Sequence, residues 1–390
     1  MKIVQMIDSL TLGGTQQMLI HLVRNLHPLG IEITIINLRP PVEESIREEF
    51  ESLGVKVVTF PFVKLFSPRS FYQLLSFLRH ERFDLIHAYL TYSNIIASLA
   101  GQLVGVPVIG SLRNAGHDPN DYSQKRDLLN TIALRYACTR VLANGFAVAE
   151  FGRKSLGDLQ IDIIPNAVEL VPPLLDHHRR SLRTELIGDA DQLLILTVGR
   201  LESRKGFPEL IKAFADLSME YPTSVLVIAG GGYLKNELQL LINDLNVQHR
   251  VFLLGFRSDV SRLLAVADIY VNSSNAEGMA VSILEAMSAG LPVVATSVGD
   301  TPFVIQPGTG VLVPPNNPIE LAQALRGLLN SPAERRIIGL AAREHIRNNY
   351  GFNMWRQKIL ELYSRITPVA KEYLLKKLDF EQETVKGKLE

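Results

Sequence analysis

The stretch Asp268–Ser297, "DIYVNSSNAEGMAVSILEAMSAGLPVVATS", reads as strand, loop, helix, strand. Apolar β-formers at 268–274 give way to small and polar residues. Helix formers occupy 281–289 and stop at Gly290, and an apolar run at 292–297 follows. This is one unit of a parallel sheet covered by helices. Two acids, Glu277 and Glu285, stand eight residues apart around the start of its short helix.

The same alternation extends in both directions. Strands are expected at 193–200, 224–232 and 250–255, with helices near 206–219, 233–246, 258–265 and 318–329. Toward the N-terminus, strands are expected at 2–7, 31–38, 55–59, 84–87, 107–111, 140–143 and 161–164. Helices are expected near 15–27, 43–53, 69–80, 92–104, 122–137 and 145–155. The proline-containing run "PNAVELVPPLLDHHRR", 165–180, separates the two series. The expectation is α/β: two Rossmann-like, doubly wound parallel-sheet domains facing across a cleft. The first is 1–168, a linker covers 169–190, and the second is 191–351. A C-terminal helical segment, 352–388, packs back onto the first. At 390 residues the chain is too long for one ordinary core.

Lys+Arg and Asp+Glu both number 40, so the net charge is zero, and nucleic acid is not expected as a partner. A single cysteine, Cys138, excludes an internal disulfide. The start "MKIVQMIDSLTLGG" is too quickly polar for a signal peptide, and no run approaches ~18 apolar residues. The expected location is cytoplasmic. A peripheral position at the inner face of the membrane is the alternative, because "FPFVKLFSPRSFYQLLSFLRHERF" (60–83) mixes aromatics with Lys64, Arg69, Arg79 and Arg82. That stretch reads either as a helix buried against the sheet or as one lying on anionic lipid.

In open α/β sheets, ligands bind beyond the carboxyl ends of the strands. The loop "NSSNAEG" feeds the first turn of a helix starting near Val281, where unpaired backbone N–H groups favour an anion. Gly278, Ala280 and Ser282 are small enough for close approach. Glu285, one turn in, suits a diol; Glu277, in the loop, suits sugar hydroxyls. Within "VGRLESRKGF" (198–207), Arg200 and Lys205 are placed to address one anion. "AGGG" (229–232) and "LGFRSD" (254–259) end two further strands.

Taken together, "VGRLESRKGF", "IAGGGYLKNEL", "LLGFRSDV", "ADIYVNSSNAEGMAVSILEAMSAGLPVVATSVGD" and "GTGVLVPPNNP" resemble the donor domain of retaining GT-B glycosyltransferases. The similar family contains sucrose synthase and bacterial lipopolysaccharide and phosphatidylinositol mannosyl glycosyltransferases. The likeness is strong over about 190–350. It is weaker in the first domain, through "LTLGGTQQMLIHLVRNL" and "IIPNAVEL".

The resemblance implies a sugar transferred from a UDP- or GDP-linked donor to a hydroxyl acceptor, in bacterial polysaccharide, lipopolysaccharide or glycolipid synthesis. It implies no cofactor and no metal. Arg200 and Lys205 would hold the diphosphate, and Glu285 the ribose. Glu277 with the backbone of Gly278, Met279 and Ala280 would meet the sugar, and Val281 and Ser282 would complete the phosphate seat. Gly14 would approach from the first domain, Gly231 would join the donor-binding set, and the base would lie near Phe256 and Arg257. The catalytic set would be Glu277, Arg200 and Lys205. A glycan or lipid-linked acceptor is expected near Gly13, His87, Arg113, His117 and Asn144. His87 alternatively reads as a structural hydrogen-bonder. Two positions depart from many relatives: Arg113 stands where a histidine is usual, and Phe303 where an acid is usual. The rival reading is a non-catalytic nucleotide-sugar binder or a regulatory subunit of a transferase complex. No G-x-G-x-x-G turn follows a strand, and no P-loop is present.

Overall fold

β-Branched and aliphatic runs build two separate parallel sheets in the computed structural model, which describes residues 1–11, 13–65, 67–114 and 123–371. The first sheet contains β1 (Lys2–Ile7), β2 (Glu32–Asn37), β3 (Lys56–Thr59), β4 (Leu85–Tyr89), β5 (Val108–Leu112), β6 (Arg140–Ala143) and β7 (Ile161–Ile163). Its order is β3-β2-β1-β4-β5-β6-β7. The crossovers carry α1 (Gly14–Leu26), α2 (Glu44–Ser52), α3 (Pro68–Glu81), α4 (Thr91–Val104), α5 (Gln124–Tyr136) and α6 (Phe146–Leu156).

After α7 (Asp176–Ile187), the second sheet contains β8 (Leu193–Val198), β9 (Ser224–Ala229), β10 (Val251–Gly255), β11 (Ile269–Asn272), β12 (Val293–Thr296) and β13 (Val311–Val313). Its order is β10-β9-β8-β11-β12-β13. Its helices are α8 (Phe207–Ser218), α9 (Lys235–Asp244), α10 (Val260–Val266), α11 (Val281–Ser288), α12 (Thr301–Val304), α13 (Pro318–Asn330) and α14 (Pro332–Asn349). The chain ends its regular structure with α15 (Phe352–Ser364). It divides into two compact units: Met1–Asn166 with the segment from Phe352 onward, and Ala167–Gly351.

Each sheet reverses its winding once. The reversal falls between β1 and β4 in the first unit and between β8 and β11 in the second. Loops leaving such a pair of strands splay to opposite faces and leave a crevice at the carboxyl edge. The strand faces are almost wholly buried: Val225, Leu226, Val227 and Ile228 of β9 are all 1 % exposed or less. That explains why these strands read as continuous apolar runs rather than alternating ones.

Two elements depart from expectation. Residues 169–190, expected as a linker, hold α7, which is part of the second unit. Its anchor is Arg183, 5 % exposed, which donates from Nε to the Ala190 carbonyl (2.8 Å), from Nη1 to the Val266 carbonyl (2.6 Å) and from Nη2 to Asp268 Oδ2 (2.9 Å). The helix is strongly polar, so its apolar periodicity is faint; its stability comes from tertiary bonds. β13 is only three residues long and pairs with β12. α14 and α15 are separated at Tyr350–Gly351, where the Val168 N–H donates to the Tyr350 carbonyl at 2.9 Å.

α15 packs in the first unit. Phe352 stacks on His21 of α1, with ring centroids 4.6 Å apart, and the Tyr363 hydroxyl meets His87 Nδ1 at 2.9 Å. Among the described residues no helix is long and apolar enough to cross a membrane.

Candidate active site

In the second unit, the β8 and β11 loops lock together at the winding reversal. Gly206 has φ 63°, and a Cβ there would sit 2.0 Å from the Ser273 carbonyl oxygen, so only glycine fits. Ser273 Oγ donates to the Lys205 carbonyl (3.0 Å), and the Asn275 N–H donates to the Arg204 carbonyl (2.7 Å). The β12 loop closes on the other side, where Gly299 (φ 53°) packs against the carbonyls of Glu277 and Gly278.

This framework brings Lys205 and Glu277 into contact. Lys205 Nζ bonds Glu277 Oε1, and the same oxygen accepts from Ser274 Oγ at 2.8 Å. The side chains are only 15 % and 8 % exposed. Arg200 goes elsewhere: it is 60 % exposed, with Nη2 3.5 Å from Glu202 Oε1. Glu202 is also taken by Arg204 Nε at 2.5 Å. The expectation that Arg200 and Lys205 converge is therefore not met by their present partners, each of which is an acid of the unit itself.

α11 begins at Val281 after the N-cap Ala280, with no side-chain cap and no acid in its first turn. Its leading N–H groups have no carboxylate of their own helix to offset the positive end of the dipole. Gly278, Val281 and Ser282 are half-buried, whereas the Met279 and Ala280 side chains (6 % and 8 % exposed) join the core. Glu285 is half-buried one turn in, and burial pushes its carboxyl up to about 7. Among the described residues no side chain donates a hydrogen bond to it. Beneath it, the buried Tyr270 hydroxyl donates to the Val198 carbonyl at 3.4 Å and lies beside Ser282, Glu285 and Glu277. Neither Tyr270 nor Ser274 stood out in the sequence, since an aromatic in a strand and a serine in a loop carry no signal of their own.

The remaining donor-side positions differ in availability. Phe256 is 60 % exposed at the end of β10. Arg257 is held bidentately by Asp259, at 2.8 and 2.7 Å, so its fork is occupied. The Gly231 carbonyl accepts from the Leu201 N–H at 2.8 Å and supports the β8 loop.

In the first unit, Gly13 caps α1 and Gly14 is its exposed first residue. His87 is 0 % exposed. Its Nδ1 meets the Tyr363 hydroxyl and its Nε2 the Ser111 hydroxyl, both at 2.9 Å, so the acceptor role expected for it gives way to the structural one. Burial, with the Arg113 charge behind it, holds the imidazole well below its usual pKa, in the neutral form. Arg113 lies with its guanidinium 4.8 Å from the Tyr89 ring centroid, and Asn144 is 5 % exposed at the end of β6. His117 lies outside the described residues. In α3, Ser70, Leu74 and Leu78 are buried while Arg69 and Arg79 are exposed, as are Lys64 before the helix and Arg82 at its C-cap.

Two tandem Rossmann-like parallel sheets are the architecture of the GT-B fold. Residues 179–345 match the model for glycosyl transferases group 1 and residues 12–171 that for glycosyltransferase family 4. The chain thus carries a group 1 glycosyltransferase domain in its second unit and a family 4 glycosyltransferase domain in its first.

It is 28 % identical over 314 residues to the UDP-Gal:alpha-D-GlcNAc-diphosphoundecaprenol alpha-1,3-galactosyltransferase of Escherichia coli, spanning 76 % of this chain and 79 % of that protein. It is 28 % identical over 366 residues to the D-inositol 3-phosphate glycosyltransferase of Corynebacterium glutamicum, spanning 86 % and 88 %. The crystal structure of Anabaena HepE in complex with UDP matches the fold with a TM-score of 0.84 at 22 % identity, over 94 % of this chain and 100 % of that one.

Proposed function

We propose that the chain transfers a sugar from a nucleoside diphosphate sugar to a hydroxyl acceptor with retention of anomeric configuration. The observation that carries this reading is the buried Lys205–Glu277 pair beside the uncapped tip of α11, with Glu285 one turn further in. A diphosphate at the tip draws Lys205 toward its oxygens and frees Glu277 for sugar hydroxyls. Glu285 accepts from the ribose. Lys205, Arg200 and the backbone N–H groups of Val281 and Ser282 neutralise the leaving diphosphate, so no metal is needed. The leaving phosphate oxygen takes the acceptor's proton as the new bond forms on the same face; Glu277 orients the sugar and does not attack it. The E. coli and C. glutamicum relatives are named for transfer to a diphospholipid-linked sugar and to an inositol phosphate. That supports a place in envelope glycan or glycolipid synthesis, with peripheral membrane contact through the exposed cations around α3.

The test is incubation with UDP-, GDP- and ADP-sugars, with and without acceptors, following released nucleoside diphosphate in buffer with EDTA. Release that depends on one donor and rises with acceptor is expected, and anomeric proton couplings in the product report retention. No release from any donor, or loss of release in EDTA, sinks the corresponding part. Flotation with anionic and neutral liposomes at low and high salt tests membrane contact.

A further inference from the structure

α4 and α5 turn an apolar outer surface to solvent. Right-handed crossovers set α1 and α2 on one face of the first sheet and α3, α4 and α5 on the other. On that second face, Asn94 Nδ2 of α4 donates to Asn130 Oδ1 of α5 at 3.2 Å, and Arg79 Nη2 of α3 donates to the Leu103 carbonyl at 3.4 Å. The three helices thus form one layer. Its inner side is core, with Ile96 and Leu134 buried, so its outer side should be polar. Leu128, Ile132 and Tyr136 instead run along α5 at four-residue spacing, 61 %, 46 % and 72 % exposed. On α4, the exposed Leu99 and Leu103 repeat the spacing, and that helix carries no charged residue. Tyr72 adds an exposed ring on α3. Lone exposed apolar residues are ordinary, but a stripe on neighbouring helices marks a contact surface.

The charge around the stripe says what the partner is. Segments 60–83, 91–105 and 124–136 hold seven Lys and Arg against two acids, Glu81 and Asp127. Glu81 is already paired with Lys2 and Lys56. Asp118 and Asp121, between β5 and α5 in the chain, still leave an excess of three cations. The opposite face is acidic: 43–51, through α2, holds five glutamates and one arginine. The positive side of this unit is therefore also its apolar side. A two-fold contact between copies would press those cations against their own equivalents, with the acids on the far face. A surface that is anionic outside and apolar just beneath satisfies both features, and phospholipid headgroups over acyl chains present that combination.

We propose that the α4–α5 stripe inserts into the headgroup boundary of an anionic membrane, with the cations of α3 and α5 against its phosphates. This deepens the membrane contact of the proposed function by moving the anchor from the α3 cations to an apolar stripe. It does not depend on the transfer reaction.

The full chain is floated with vesicles of phosphatidylglycerol and of phosphatidylcholine, at low and at high salt. Wild type is expected to partition onto phosphatidylglycerol at least ~tenfold more than onto phosphatidylcholine, with a fraction that high salt does not remove, because apolar burial is not screened. The triple variant Leu128→Gln, Ile132→Gln, Tyr136→Gln is expected to lose at least ~tenfold in partitioning, including the salt-resistant fraction. Its urea midpoint and UDP affinity should match wild type, since the three side chains lie outside the core and the donor loops. Tyr136→Trp is expected to add emission that shifts to the blue on phosphatidylglycerol vesicles, over that of the buried Trp355. No vesicle binding by the wild type, equal binding by the triple variant, or an unshifted emission overturns the proposal. A dimer in sedimentation that the triple variant abolishes overturns it in favour of a second copy. A chain that binds vesicles through the stripe yet releases no nucleoside diphosphate from any donor keeps the surface and loses the reaction.

Discussion

Lys205 and Glu277, 72 residues apart in the chain, form an ion pair at the carboxyl edge of the second sheet, and Ser274 donates to the same carboxylate oxygen. A cation suited to a diphosphate and an acid suited to a sugar thus neutralise each other within the unit. With so little of either side chain exposed, removing one partner leaves the other nearly desolvated, and the loss exceeds the net value of the pair.

A double-mutant cycle separates structure from catalysis at this pair. Lys205→Ala and Glu277→Gln are each expected to lower stability by about 1–3 kcal/mol, and the double variant by less than the sum. Turnover is expected to fall at least ~100-fold in Lys205→Ala and to stay low in the double variant, because charge stabilisation at the leaving group is gone. Urea unfolding and nucleoside diphosphate release measure the two. Turnover restored in the double variant would show that the pair serves folding alone.

Glu285 is expected to make stability and donor binding pH-dependent in opposite senses. Its folded pKa of about 7 lies above the ordinary glutamate value of 4.5 because the carboxyl is buried. The folded state therefore holds the proton more tightly. This contribution is fully present below about 4.5 and is lost as pH rises toward 7, on the order of 3 kcal/mol in all. Glu285→Gln is expected to be more stable than wild type at pH 8, with the gap closing below pH 5. UDP affinity of the wild type is expected to rise from pH 6 to 8, as the carboxylate that accepts from ribose forms. Glu285→Gln should bind weakly with a flat profile. Calorimetry across that range is the check; a flat wild-type profile counts against the ribose role.

His87 acts in the opposite direction. Its folded pKa is held well below 6.5, so only the unfolded chain takes up the proton as pH falls. Stability is present above 6.5 and declines below it, by up to about 1.4 kcal/mol per pH unit from this group. Arg113, Tyr89, Tyr363 and Ser111 surround it, and none supplies a negative charge. His87→Gln is expected to be less stable at pH 7.5, by about 1–3 kcal/mol for the lost bonds, but with a shallower fall between pH 6.5 and 5. Denaturant midpoints at several pH values decide it.

Arg183→Lys at the α7 anchor is expected to cost about 2–4 kcal/mol, because an ammonium cannot span Asp268 and the backbone carbonyls that the guanidinium fork reaches together. At a temperature where the variant remains folded, UDP affinity should be unchanged, since the anchor lies outside the donor loops. A weakened affinity there would tie α7 to the site.

The order of strands and helices was legible because its signal is local. The run at 268–297 shows strand, helix and strand within thirty residues, and β11, α11 and β12 fall inside the expected spans. The family likeness came from the same stretch and its neighbours. α7 was not legible: its sequence "DHHRRSLRTELI" is polar, and what holds it is Asp268, more than eighty residues away.

By itself the sequence determined two parallel α/β units and put the glycines, cations and acids in loops that follow strands, because periodicity and turn chemistry act between near neighbours. Only the tertiary structure decided which charges meet. It turned Lys205 to Glu277, left Arg200 with Glu202 and sealed His87 under a tyrosine 276 residues away. Pairing and desolvation depend on groups that only the folded chain brings together, and no spacing in one sequence records them.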